Sequence, residues 1–421
     1  MRLQGLNKPN YIPKNKITVP YVIQQHKYGA IATWSHCTDR YLPDNHAVDA
    51  EIHGFKYNLA LTSFISNNIN GGGQVASDFK DVAATGRIGF GTYEFTGQAH
   101  YVDDGINTKE SMDTQYLNIK NGLGYYPSVG SYAHGRQTFR NDLKDYYLGV
   151  RNSNYDLSNY NYDIQDTSSF PTTTRQADMV GDRNLVLNQV GQSLEDAIIN
   201  GGWFRDFTHW HTVTDGNLDE FFKHQRTIID NRKVASLSFM EAVEYMKLRQ
   251  KIMEIRFFEA NGKIYVTTEL PYESIMRRNI NTEISVEVDL TGTILESKEL
   301  KSSYGLQKIG VDKFIVEVPI NDYAILEEDV SGDYLDFNLP NLTAIADNEF
   351  IKIETNKPTN VVIFGTSADE PLHTAEILKR SNNMSKEHEI KLTEINYDLK
   401  DIYFGAITKE RQSILSSKYN F

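Results

Sequence analysis

Hydrophobic positions over residues 1–255 fall in short blocks that switch between strand-like and helix-like spacing. Tyr28 to Trp34, Leu59 to Ile65 and Arg87 to Tyr93 are compact apolar runs and predict buried strands. Between them, Val48 to Asn58 has helical character. The Gly71-Gly72-Gly73 turn leads into a helix marked by Val75, Phe79, Val82 and Ala83. Further helices are predicted at Asp142 to Tyr147 and Ser193 to Ile199, and a late strand at Phe207 to His211. Leu218, Phe221, Phe222, Gln225 and Ile229 mark one closing helix, and Phe239, Ala242, Val243, Met246 and Met253 mark another. Ser238 with Glu241 three residues on makes a capping box before the second. Such β-α-β-α succession predicts a parallel sheet, open or closed into a barrel.

The period changes near Ile255. Lys263 to Thr268, Glu283 to Val288 and Lys313 to Val318 alternate with period two and are bounded by turns such as Asn261-Gly262 and Thr291-Gly292. That pattern predicts an antiparallel sandwich. Strands are also expected at Asn360 to Phe364 and Glu389 to Leu392. The expected domains are therefore residues 1–255, an α/β unit; 256–350, a β-sandwich accessory domain; and 351–421, a β-rich C-terminal extension.

Composition narrows the function classes. Among 421 residues, 43 are basic and 56 acidic, and the net charge of −13 argues against tracking a phosphate backbone. A single cysteine, Cys37, excludes an intramolecular disulfide framework and cysteine-based zinc fingers. No apolar run approaches the ~18 residues of a membrane span. Nine of the 11 histidines lie between His26 and His224, so any metal or proton chemistry is expected in the first half. Neither a P-loop nor a Gly-x-Ser-x-Gly elbow is present. The 25 tyrosines and 20 phenylalanines suit carbohydrate surfaces, and the stretch Tyr146 to Tyr162 reads equally as a sugar-stacking loop or a packed one.

Residues 20–255 carry a series of short motifs in a particular order. The strand from Ala30 runs into His36-Cys37-Thr38-Asp39-Arg40-Tyr41. Ala60 to Ile65 follows, then Arg87-Ile88-Gly89-Phe90-Gly91-Thr92-Tyr93-Glu94-Phe95, the turn Tyr132-Ala133-His134-Gly135 and the strand Leu148-Gly149-Val150-Arg151. Thr208-His209-Trp210-His211 and Ala235 to Ala242 close the series. In order and spacing it resembles the polysaccharide deacetylase (NodB-homology) family. The resemblance implies a distorted (β/α) barrel with its site at the C-terminal strand ends. The implied chemistry is metal-assisted removal of an acetyl group. One Asp and two His hold a divalent metal, a carboxylate activates water, and a late histidine protonates the leaving group.

Position by position, the match is eroded. Asp39 falls at the metal-binding Asp, but Thr38 replaces the base, and Gly91 and Phe95 stand where the metal-binding histidines belong. The late His209 or His211 is kept, as the catalytic candidate. A rebuilt centre for Zn or a similar divalent metal would draw on Asp39, His36 and His134. The resemblance places Arg151, Tyr132 and Trp210 among the substrate-binding positions. Two expectations stand: an acetyl-sugar hydrolase with an unusual metal site, and a non-catalytic barrel used for binding glycan or for assembly. The expected partner is a cell-surface polysaccharide or other glycan, with virion proteins or a second copy of the chain as assembly partners. The opening residues Met1 to Pro9 lack the apolar core of a signal peptide. Delivery outside the cell on a phage particle, as a tail, fibre or surface component, is therefore expected, with a cytoplasmic location as the other reading.

Overall fold

The computed structural model describes residues 15–37, 45–65, 79–85, 88–94, 109–132, 146–154, 172–175, 183–208, 215–229, 234–269, 283–320, 322–330, 341–346, 349–368, 375–381, 383–395, 401–408 and 413–420. Two short strands come first, β1 (Asn15–Ile17) and β2 (Tyr21–Ile23). Seven parallel strands follow: β3 (Ile31–Cys37), β4 (Leu61–Ile65), β5 (Ile88–Glu94), β6 (Val129–Tyr132), β7 (Gly149–Asn154), β8 (Thr172–Arg175) and β9 (Trp203–Thr208). Each pairs with the next, and β9 pairs back onto β3 from Ile31↔Trp203 to His36↔Thr208, so the hydrogen-bonded path forms a ring. A two-residue strand, β10 (Ala235–Ser236), pairs with the start of β3. The helices are α1 (Asn45–Tyr57), α2 (Lys80–Thr85), α3 (Lys109–Leu123), α4 (Arg183–Asn200), α5 (Asp215–Ile229) and α6 (Phe239–Arg249). This is the barrel-like β/α arrangement that the alternating pattern predicts.

Alternation along each strand divides two layers. Ala32, Trp34, Leu61, Ile65, Phe90 and Phe204 pack outward with apolar residues of α4 and α5. Ile31, Phe64, Val129 and Trp203 face inward. The first strand begins three residues later than its apolar run suggests. Residues 27–29 form a 3-10 turn in which Tyr28 takes φ +56°. The late strand, expected at 207–211, instead begins at Trp203. Gly201 ends α4 with φ +66°, where a Cβ would stand 2.9 Å from the Gly29 carbonyl oxygen, so only glycine fits. The predicted helix at Asp142 to Tyr147 falls largely outside the described residues.

Helix α6 closes the base of the ring. Ser238 caps it through the predicted box with Glu241. The Phe239 amide donates to Thr62 Oγ1 at 2.6 Å. The Phe239 ring enters the ring of strands, 5.9 Å from Phe64 and 5.3 Å from Trp203 between centroids. On its other side, α6 packs in the same buried cluster as Phe257, Ile264, Val286, Val316 and Leu326.

Those residues belong to two antiparallel sheets. Their strands are β11 (Glu254–Ala260), β12 (Lys263–Glu269), β13 (Ile284–Asp289), β14 (Leu300–Ser302), β15 (Leu306–Gly310), β16 (Lys313–Val318) and β17 (Ala324–Glu328). The orders are β1-β11-β12-β17-β14 and β15-β16-β13-β2, so residues 15–23 at the start of the chain complete both sheets. A buried ion pair ties the approach to β3 into them: Lys27 Nζ lies 3.1 Å from Glu317 and 3.3 Å from Glu283. Ser285 donates a short hydrogen bond to the Glu317 carboxylate. Burial pushes the Glu317 carboxyl above the usual carboxylate range, and the Lys27 charge works against that rise.

The last sheet contains β18 (Leu342–Ala346), β19 (Phe350–Thr366), β20 (Glu376–Arg380), β21 (Ser385–Lys391), β22 (Asp401–Thr408), β23 (Ser413–Leu415) and β24 (Tyr419–Asn420). It docks on α1: Phe364 meets Phe55 edge-on at 5.8 Å, and the Ser413 amide donates to Asn58 Oδ1 at 2.8 Å. No helix among the described residues is long and apolar enough to cross a membrane.

Truncating Phe239 to Ala is expected to cost about 3–5 kcal/mol of stability, read by urea unfolding, because the aromatic base loses its central ring. Lys27→Met leaves the Glu317 charge buried without its cation, and a loss of about 3–5 kcal/mol is expected near neutral pH. The raised Glu317 pKa sets the direction of the pH effect. Glu317 is neutral below that pKa, so the gap between variant and parent should narrow as pH falls through it.

Candidate functional site

Parallel strands bring all seven C-terminal ends to one mouth of the ring: Cys37, Ile65, Glu94, Tyr132, Asn154, Arg175 and Thr208. The position of His36 is on β3, paired in register with Ser63 and Thr208, and Tyr132 pairs with Glu94. Asp39, His134, His209, Trp210 and His211 lie outside the described residues, as do Thr38 and Phe95. In the sequence, their segments directly follow β3, β5, β6 and β9. Among the described residues, no group of three or more His, Cys, Asp or Glu is gathered in a metal-holding arrangement.

Arg151 is the sequence-predicted residue whose surroundings are most fully defined. It is 1% exposed and projects from β7 into the ring. Its Nε donates to Ser131 Oγ at 3.0 Å, and its Nη1 donates to Ser35 Oγ at 3.2 Å across the lumen. Ser35 in turn donates to the Asp206 carbonyl oxygen at 3.1 Å, anchoring the hydroxyl to β9. The guanidinium carbon sits 5.0 Å from the Phe64 ring centroid, a cation-π distance. A second arginine, Arg205, is 6% exposed and stands 5.1 Å from the Trp203 ring centroid. Trp203 Nε1 donates to Thr33 Oγ1 at 3.1 Å, and Thr33 donates to the Phe204 carbonyl oxygen at 3.2 Å.

Sequence reasoning did not single out Arg205, Ser35, Ser131 or Phe64. The signal for Arg205 was the period-two alternation of Trp203 and Arg205, hidden because the strand was placed four residues late. The serines carry no motif; only register puts them opposite an arginine.

The structure defines the surroundings of position 91, which the sequence resemblance aligns with a metal-binding histidine. Gly91 is buried on β5. A Cβ there would lie 2.8 Å from two Phe64 ring carbons and 3.0 Å from the Val129 carbonyl oxygen. Phe64 is itself held between Phe239 and the Arg151 guanidinium. A histidine at position 91 therefore has no space in this packing. The neighbouring Gly89 is filled in the same way, with a Cβ falling 2.9 Å from Ser238 Cβ.

The tyrosines near the start of β7 are structural. Tyr146 and Tyr147 are buried and pack edge-on against Tyr116 at 5.5 and 5.8 Å. Tyr146 also donates to Asp113 at 2.6 Å. Residues 155–162 lie outside the described residues.

The sequence matches no protein-family profile and no curated protein. Solved structures similar to this chain include a protein assigned as a polysaccharide deacetylase from Mycobacterium smegmatis, with 10% identity and a TM-score of 0.40, covering 57% of this chain and 96% of that one. The polysaccharide deacetylase Bc1974 from Bacillus cereus has 11% identity and a TM-score of 0.34, over 50% of this chain and 92% of that one. A CE4 family pseudoenzyme from Bacillus anthracis has 11% identity and a TM-score of 0.35, over 52% and 66%. Identities of this order do not carry catalytic residues from one chain to the other.

Replacing Gly91 with His is expected to destabilise the protein by about 1–3 kcal/mol through overpacking. The melting temperature should fall, and a double-mutant cycle should show a smaller cost of Gly91→His in a Phe64→Ala background than in the parent chain.

Proposed function

We propose that this chain is a carbohydrate-directed, polysaccharide-deacetylase-like protein whose barrel binds glycan without the hydrolytic metal centre of that family. The order of the motifs along residues 20–255 and the parallel ring of strands support the deacetylase-like reading. The Phe64 ring, filling the space at Gly91, supports the loss of the metal site. The metal-dependent route to removing an acetyl group uses a base to activate water and a Lewis acid to polarise the carbonyl. Thr38 is a poor base near neutral pH, and positions 91 and 95 offer no donor atom.

On this reading, the antiparallel sheets of residues 254–328 form a sandwich that braces the barrel base rather than a separate catalytic unit. Carriage on a phage particle belongs to the same proposal, and co-sedimentation of the chain with virions would test it.

The deciding experiment is elemental analysis of untagged protein purified without chelator, combined with acetate release from acetylated chitin and xylan oligosaccharides. The expected result is metal well below one equivalent per chain, no acetate above the buffer rate, and measurable glycan binding. About one equivalent of divalent metal per chain with metal-dependent acetate release would overturn the proposal.

A further inference from the structure

Glu317 lies where three parts of the chain meet: the strap of residues 24–29 that leads into β3, the strands β13 and β16, and helix α6 at the barrel base. Its side chain is 3% exposed. One carboxylate oxygen accepts the short hydrogen bond from Ser285, and the other stands 3.1 Å from Lys27 Nζ. Ser285 Oγ also accepts from the Tyr28 amide at 3.2 Å. The hydroxyl that faces Glu317 therefore also holds the strap, at a residue with φ +56°.

The strap is fastened from other sides as well. The Gln24 amide donates to the Ser285 carbonyl oxygen at 3.0 Å. Tyr245 Oη and Arg249 Nε, both on α6, each donate to the Gln24 carbonyl oxygen at 3.0 Å. At its far end, the Gly29 carbonyl oxygen lies against Gly201, just before β9. The strap thus spans from the antiparallel sheets to the start of the strand ring.

Among the described residues, the charged and titratable groups around Glu317 come from each of these elements. Lys27 comes from the strap, and Glu283, which accepts from Lys27 Nζ at 3.3 Å, precedes β13. Tyr245 comes from α6 with Arg249 beside it, and the Tyr28 hydroxyl shares the space above Gly305 with the Glu317 side chain. Burial, and then the Glu317 charge, hold the Tyr245 phenol above its usual range, so it stays neutral. Burial is also the largest influence on Glu317 and raises its carboxyl above the usual range. Lys27 and Ser285 oppose that rise, and Glu283 adds to it.

From this we infer that Glu317 is a proton-operated latch for the strap: residues 24–29 stay shut against β13 and β16 while the carboxyl holds its proton, and open from them as the proton is lost. An open strap gives the carboxyl to water, where it titrates in the ordinary range. The shut form therefore binds the proton more tightly. Closure is at full strength below the ordinary range and weakens as pH rises, until the raised value is passed. The latch goes beyond the glycan-binding reading and does not depend on it.

Hydrogen exchange of the full chain, read by mass spectrometry across pH, tests the latch. Glu317→Gln keeps the shape of the side chain and cannot ionise. At each pH, the exchange rate of peptides spanning 24–29 in the parent is divided by the rate in this variant. The division cancels the intrinsic effect of pH on exchange. His26, buried in the strap itself, is present in both chains, so its titration cancels too. The ratio is expected to be near unity at the acid end, then to rise by at most about tenfold per pH unit before levelling off. Glu283→Gln removes a like charge, so against its own Glu317→Gln double the rise should level off at lower pH and lower height. Lys27→Met should do the reverse. If Glu317→Gln folds poorly, parent against Glu283→Gln serves instead, with the parent the more exposed only at high pH. A ratio that stays flat in either comparison overturns the inference. An equal rise in peptides from β19 and β22 also overturns it, because the proton would then act on the whole fold rather than on the strap.

Discussion

The insertion of Phe239 into the base of the strand ring is the constraint on which the other parts depend. A parallel ring of short strands needs its interior filled, and five positions facing that interior are Gly89, Gly91, Ser35, Ser131 and Thr33, which fill little. Phe239 supplies the missing volume from outside the ring. It is positioned by the Ser238–Glu241 cap and by the hydrogen bond from its amide to Thr62. Phe64 and Trp203 pack on it, and the two arginines sit on those rings. The same helix turns its other side to the antiparallel sheets, so one element sets both the depth of the lumen and the position of the region that follows.

A metal-dependent hydrolase needs room for imidazoles at the strand ends and acidic ligands to hold a cation. Here a phenyl ring takes the room at position 91, and two buried guanidiniums lie against the Phe64 and Trp203 rings. A guanidinium binds oxyanions and orients them, but it does not bring a water molecule to the pKa a metal provides. The residues at the motif positions and the packing at position 91 both differ from what the resemblance implies for a metal-binding barrel.

The regions beyond the barrel are joined to it by interactions that a flexible linker would not make. Lys27 and Glu317 form a buried pair between the approach to β3 and the sheet containing β16. Asn58, with φ +52°, ends α1 and receives the Ser413 amide from the last sheet. Gly405 lets that sheet approach so closely that a Cβ there would meet the Phe55 ring at 3.0 Å. Helix α1 begins a few residues after Asp39, so the C-terminal sheet braces the element that follows the first motif segment.

Local pattern alone determined much of the architecture. Apolar runs and 3.6-residue spacing located β4, β5, α5 and α6, the capping box placed the start of α6 to the residue, and period-two alternation announced the antiparallel region. These features depend on neighbours a few residues away, so a sequence displays them directly. Tertiary structure decided which strands pair. Residues 15–23 join sheets whose other strands lie more than 230 residues later, and polar β8 completes the ring beside β9. Of the candidate site, Arg151 was legible as a position on a strand, but its serine partners and the second arginine were not. Hydrogen-bond partners in a sheet, and the neighbours of a buried charge, are chosen by long-range packing. No local periodicity records that choice.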